Sequence, residues 1–432
     1  MGRLVDDPDF LAAQGLALEA ADMRAMLSNP ITLGLVGDSR NVVFNTSGVN
    51  LYKSSSQLAT WLEFFSYGRI KLSAAHSFAA GGTQVSAIPG QMDSLLAVTP
   101  RCGAVLIVTG TNTFNAGGTA ADAWTILAAQ ITRALMARVR PIVVLDLPRQ
   151  QSTFSPGASA ALQSCRFNSL IRANAPALGA LVVDLTAVLA DAASATGDPI
   201  SGYYSDGIHL APKGAFVAGK EIAAYFAAYP KAARGFASPR DTYDASNNPS
   251  GNLFGYGLMQ GSSGSNAGTG ASGTVPTGWK NSVNGGTGTS VASVEARADG
   301  GPGNWLKLDI AGSDAIDVRA QLAANITAGF STGDVVALEC EMSVTGGVNV
   351  NASRCALVCY GSGFVIKASG QIDALTTTQL LPDGSFSGLW RTPSIVVTSD
   401  TINLTPTFYF ATGNAGGALT ARLGAVSIRK VV

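Results

Sequence analysis

The chain has 432 residues, of which 13% are charged and 47% hydrophobic, with 28 Lys+Arg, 28 Asp+Glu and 50 glycines. The charges balance on both sides of Pro230, 15 of each sign before it and 13 of each after it, so no basic field exists for a nucleic acid. No apolar run approaches the ~20 residues that cross a bilayer, and the high apolar content excludes a disordered chain, which leaves a folded protein of about two to three domains.

Residues 1–30 contain Asp6, Asp7, Asp9, Glu19, Asp22 and Arg24, which interrupt any apolar signal core, so no signal peptide is visible. The segment is expected to be helical and amphipathic, with Leu11, Leu16, Leu18, Met23 and Met26 as its apolar positions. From Ile31 to Tyr229 short apolar runs alternate with helical stretches. ITLGLVG, AVLIVTG, PIVVLDL and ALVVDL are apolar on both faces, as strands of a covered parallel sheet must be. TAADAWTILAAQITRALMARV, GASAALQSCRFNSLIRANAP and APKGAFVAGKEIAAYFAAY supply the flanking helices. This alternation predicts a three-layer α/β/α, flavodoxin-like domain over 31–229.

Residues 230–252 are rich in turn formers and read as a linker. A Gly/Ser-dominated stretch follows, then short segments of period two. Leu306, Leu308 and Ile310 alternate with Lys307 and Asp309, and Leu338, Cys340, Met342 and Val344 form a second series. Residues 253–432 are therefore expected to form an all-β sandwich, jelly-roll-like, large enough for its own core. The five cysteines, Cys102, Cys165, Cys340, Cys355 and Cys359, lack paired zinc spacing and are expected to be buried thiols. Neither a metal site nor a cofactor is predicted.

The chemistry is carried by residues at strand ends. Gly37-Asp38-Ser39 closes the first apolar run and puts a serine where open α/β sheets build their sites. A serine nucleophile needs a base, and the chain has two histidines, His76 and His209. His209 lies three residues after Asp206 in Asp-Gly-Ile-His, a spacing that lets the carboxylate hold one ring nitrogen while the other faces a serine. His76, ahead of a glycine-rich turn, is the rival base. Asn112 in Gly-Thr-Asn, and Gly81 or Gly82 in Ala-Ala-Gly-Gly-Thr, can donate to an oxyanion.

These four blocks, GDS, AAGGT, GTN and DGIH in that order, make the segment from Ile31 to Tyr229 resemble the SGNH, or GDSL-type, serine hydrolases. The resemblance implies Ser39 as nucleophile, His209 as general base and then acid, and Asp206 as its orienter. It also implies an oxyanion hole of the Ser39 and Gly81 N–H groups with the Asn112 side chain. Arg40, Thr113 and His76 depart from the commoner residues of the pattern. Arg40 and Thr113, with Arg149 after the PIVVLDL run, are candidate substrate-binding residues.

The segment Asn252–Trp279 resembles, more loosely, the opening of β-sandwich modules of polysaccharide-active enzymes and phage tail proteins. Trp279, Trp305, Trp390, Tyr360 and Tyr409 are candidate flat faces for sugar rings, against the plainer expectation that they fill the core. The expected activity is removal of O-acetyl groups from a polysaccharide by a serine esterase, extracellular or virion-associated, with acetylated glycan as partner and neither nucleic acid nor membrane insertion. Lipase, arylesterase or thioesterase activity on small acyl esters is the alternative, and a glycan-binding tail protein with a vestigial hydrolase domain the non-enzymatic one. Low net charge favours self-association, which leaves a homo-oligomer open. Activity is expected to fall below about pH 6, as a histidine base becomes protonated.

Overall fold

The computed structural model describes residues 30–47, 50–154, 158–229, 240–361, 367–371, 381–413 and 416–431. The expected N-terminal helical segment, up to residue 29, and the expected linker from 230 to 239 lie outside the described residues. The chain divides into two units, Met1–Val43 with Ser56–Ala232, and Phe44–Ser55 with Ala233–Val432.

In the first unit, β1 (Ile31–Gly37) leaves the sheet at the serine block. The chain then contributes a hairpin, β2 (Phe44–Ser47) and β3 (Asn50–Lys53), to the second unit. It returns through α1 (Leu58–Phe65), β4 (Ile70–Ser77), α2 (Ile88–Ala97), β5 (Ala104–Val108) and α3 (Thr111–Asn115). The remainder is α4 (Ala120–Met136), β6 (Arg140–Val144), α5 (Ala158–Asn174), β7 (Leu181–Val183), α6 (Thr186–Leu189) and α7 (Pro212–Ala224).

The sheet order is β4-β1-β5-β6-β7, with every pair parallel. All five residues of both β5 and β6 are buried, the pattern of strands covered on two faces. The α/β architecture is as predicted, with one addition. β4 forms an edge of the sheet, and its half-exposed alternation hides it among polar residues. Thr119 caps α4, accepting from Asp122 N–H at 3.2 Å and satisfying one of the helix's free donors.

The second unit is all-β. An eight-stranded sheet runs from the hairpin β2–β3 through Lys367–Gln371, Val350–Gly361, Thr401–Thr412, Asp317–Leu322 and Trp279–Gly285 to Ser265–Ala267. A seven-stranded sheet contains Gly384–Arg391, Val335–Val348, Gly417–Lys430, Asn304–Gly312, Gly288–Ala296 and Ala271–Gly273, with Ile395–Val396 paired off the main path. Buried side chains meet between the sheets. Ser290 Oγ donates to Asn281 Oδ1 at 2.8 Å, and Ser353 Oγ lies 2.9 Å from Met342 Sδ. Leu306, Leu308 and Ile310 point inward, as their alternation predicts.

Two sequence expectations change here, and the choice between two readings of the aromatics falls to the plainer one. The segment Phe44–Ser55 belongs to the second unit rather than the first, because β3 pairs in parallel with Lys367–Gln371, Leu51 opposite Ser369. The expected linker is structured in its later part. Asn252 Oδ1 accepts from Ile428 N–H at 2.8 Å, and Asp241 pairs with Arg429 at 2.5 Å. The candidate sugar faces are engaged, in line with the plainer expectation of packing. Trp279 and Trp390 are core side chains, and guanidinium groups lie over Trp305 (Arg297, 3.9 Å) and Tyr409 (Arg354, 4.7 Å). The side chain of Tyr360 lies outside the described residues.

Candidate active site

The serine turn is built from β1 outward. Gly37 has φ +127°, and a Cβ there would stand 1.9 Å from the Val108 carbonyl oxygen, so only glycine fits between β1 and β5. Asp38 follows in extended conformation and caps the 3₁₀ turn Ser39–Asn41, its Oδ1 accepting from Arg40 N–H at 3.0 Å. Asn41 is fully buried and donates from Nδ2 to both Val36 O and Leu106 O at 3.0 Å, joining the ends of β1 and β5. Gln57 Nε2 donates to Ser39 O at 3.2 Å. The serine is thus fixed at a strand's carboxyl end by backbone bonds that leave its hydroxyl free to point outward.

The histidine sits on a pinched loop. Tyr204 and Leu210 form an antiparallel bridge, and Ser205 N–H donates to His209 O at 2.9 Å. Asp206 Oδ1 accepts from Ile208 N–H at 2.9 Å and His209 N–H at 2.7 Å, while Oδ2 lies 2.7 Å from His209 Nδ1. Burial opposes ionisation of Asp206, but these donors and the imidazole outweigh it and hold the carboxyl down at about 2. An ionised carboxylate only accepts, so in the neutral imidazole Nδ1 carries the hydrogen and Nε2 is left as an acceptor. Nε2 lies 2.8 Å from Ser39 Oγ. Downstream, Pro212 opens α7, and Gly219 lets that helix approach α1, where a Cβ would meet Trp61 Cβ at 2.5 Å. Phe216 and Trp61, with ring centroids 4.9 Å apart, complete this seat for the histidine loop.

The glycine and asparagine blocks gather beside the serine. A Cβ built on Gly81 would lie 4.0 Å from Ser39 Cβ. Asn112, in the short helix α3, donates from Nδ2 to Thr83 O at 3.0 Å, two residues beyond Gly81. Ser39, Gly81, Asn112, Asp206 and His209 therefore converge from four separate connections at the carboxyl ends of β1, β4 and β5. No group of three or more metal-ligating side chains occurs among the described residues.

The three candidate substrate-binding residues are placed otherwise. Arg40 is 3% exposed, with Nη1 on Asp146 Oδ1 and Nη2 on Asp38 Oδ2, both at 2.7 Å. Burial works against its charge, but Asp38 and Asp146 outweigh it and keep the guanidinium protonated. Thr113 uses its hydroxyl to accept Val85 N–H at 2.8 Å. Arg149 is 3% exposed, bonded to Thr111 and Thr153 and stacked 4.3 Å over Phe154. All three side chains make bonds inside the domain, and those bonds give each of them a structural role. The rival base is likewise engaged, since His76 is buried with Nε2 2.9 Å from Pro100 O.

Sequence reasoning passed over Asp146, Asn41 and Gln91. Asp146 balances Arg40 across 106 positions, and its second oxygen accepts from Ser164 Oγ at 2.6 Å. A carboxylate at the end of an apolar strand, LDLPRQ, was the one visible signal for it.

Comparison with known proteins gives one family. Residues 46–215 match the GDSL-like lipase/acylhydrolase family, a span that holds Gly81, Asn112, Asp206 and His209 and begins after Ser39. This supports a GDSL/SGNH acylhydrolase-type domain in the chain. No curated protein matches. Among solved structures, the chain is similar to a GDSL-like lipase from Bacteroides thetaiotaomicron VPI-5482, at 15% identity, 51% of this chain, 98% of that one and TM-score 0.35. It is also similar to the lipase/acylhydrolase from Enterococcus faecalis, at 14% identity, 45% of this chain, 94% of that one and TM-score 0.35.

Proposed function

We propose that the chain is a carboxylic-ester hydrolase working through an acyl-serine intermediate. The observation that carries this is the continuous hydrogen-bond chain from Ser39 Oγ through His209 to Asp206, at 2.8 and 2.7 Å. In the first half-reaction Ser39 Oγ attacks the acyl carbonyl while its proton passes to His209 Nε2. Asp206 holds the ring and balances the imidazolium. The carbonyl oxygen becomes an oxyanion, for which the Ser39 and Gly81 N–H groups and the Asn112 carboxamide are the donors. Collapse expels the alcohol, which takes the proton from Nε2 and leaves Ser39 acylated. Water then attacks the acyl carbonyl with its proton going to Nε2; collapse breaks the bond from the acyl carbon to Ser39 Oγ, Nε2 returns the proton to that oxygen, and the acid leaves with the enzyme restored.

The substrate we propose is a short O-acyl group, acetyl first, on a neutral polymeric glycan met outside the producing cell. The support is compositional and architectural. Charges are few and balanced, and an all-β unit accompanies the hydrolase unit. A fluorophosphonate probe tests the reaction class, since it should label the parent protein stoichiometrically and leave Ser39→Ala unlabelled. Release of acetate from acetylated polysaccharides, with acetyl aryl esters preferred over octanoyl ones, tests the substrate. Preference for chains of eight or more carbons would replace it with a lipase reading.

A further inference from the structure

We infer that Gln91 is a positioning residue for the nucleophile and the oxyanion donors, an inference that rests on the esterase reading above. The reason begins where a strand ends. On one side Gly37 pairs with Val108 of β5; on the other β4 ends at Ser77, opposite Leu35, and the chain beyond it returns Ala80 N–H to Gly37 O at 3.1 Å while a gap in the ladder is left at Gly37 N–H. Gln91, on α2, fills it with its carboxamide, Oε1 accepting Gly37 N–H at 2.6 Å and Nε2 donating to Gly37 O at 3.0 Å. The side chain thereby supplies the acceptor for Gly37 N–H that a strand carbonyl would supply, and a second donor to Gly37 O.

The same carbonyl organises the glycine block. Gly37 O also accepts from Ala80 N–H at 3.1 Å and from Thr83 Oγ1 at 2.9 Å, and Gln91 Nε2 reaches Thr83 Oγ1 at 3.5 Å. Thr83 O in turn holds the Asn112 carboxamide at 3.0 Å. A single connected set of bonds therefore runs from Gln91 through the peptide two residues before Ser39, across the segment containing Gly81, to Asn112. Gln91 touches none of the reacting atoms. It sets the relative placement of the three groups that must surround the developing oxyanion, where displacement by about 1 Å costs on the order of 100-fold.

Gln91→Glu isolates this role because it preserves shape and removes only the donor. Ionised, the new carboxylate faces Gly37 O and repels it; protonated, it again offers a hydrogen to that oxygen. Partial burial raises the pH at which a carboxyl protonates, which brings the change within reach of assay conditions. At pH 8, Gln91→Glu should lower kcat and the rate of fluorophosphonate labelling roughly 10- to 100-fold, with KM within about threefold. The ratio of variant to parent should then rise at least fivefold as pH falls from 8 to 5.5, a recovery that mere loss of packing would not produce. Thr83→Val, with Thr83→Ser as its rescue, breaks the same set of bonds elsewhere and keeps the inference open to failure should Gln91→Glu not fold. A ratio flat with pH, or Thr83→Ser no better than Thr83→Val, would overturn it. Absence of labelling in the parent itself would instead overturn the esterase reading, and this inference with it.

Discussion

Two hydrogen-bonded systems containing carboxylates flank Ser39, and they differ in solvent exposure. In Asp38–Arg40–Asp146 every side chain is at most 1% exposed, whereas His209 and Asp206 are 40% and 52% exposed. The first has no route for a proton and a cation that never releases one, so it is a fixed strut between the serine turn and the end of β6. The second has a ring that can take a proton, a partner that orients it, and solvent within reach. Similar residue types are thus divided by burial into a part that holds geometry and a part suited to moving a proton.

Mutation should separate the two. His209→Ala is expected to lower turnover by roughly 10²- to 10⁴-fold while unfolding at nearly the parent's urea midpoint, because an exposed pair adds little to stability. Arg40→Met should do the reverse in kind, since it leaves two buried carboxylates without their cation. A loss of about 3–5 kcal/mol in urea unfolding is expected. Equal stability of Arg40→Met and parent would refute the strut. The smallest effect concerns pH. The folded Asp206 carboxyl is held at about 2, below its ordinary value near ~3.9, so its contribution to stability is present above that value and lost as pH falls through about 2. The stability gap between parent and Asp206→Asn should therefore close between about pH 4 and 2. A gap that persists at pH 2 would contradict the assignment of the Asp206 hydrogen bonds.

This division also explains what the sequence discloses. Ser39, Asp206, His209, Gly81 and Asn112 lie in short blocks at strand ends, where local spacing is enough to bring the right atoms together once a parallel sheet is recognised. The burial of Arg40 and Arg149 is not legible, because a sequence displays charge and not burial. One carboxylate that neutralises Arg40 is 106 positions away. Gln91 carried no signal at all, since a glutamine in a helix is ordinary and its partner is a backbone 54 positions off. The all-β character of the later chain was legible from period-two alternation. The membership of Phe44–Ser55 was not, because pairing with Lys367–Gln371 depends on register between strands, which leaves no local trace.

That hairpin has a consequence for synthesis. Lys53 Nζ is buried against Arg391 O, a partner 338 positions later in the chain. At 5–20 residues per second, translation reaches that partner roughly 20 to 70 s after the hairpin is made. Throughout that interval the edge of β3 that later pairs with Lys367–Gln371 has no strand to meet, and such an edge is open to capture by other strands. Production of the protein should therefore be sensitive to what shields one short hairpin on the ribosome.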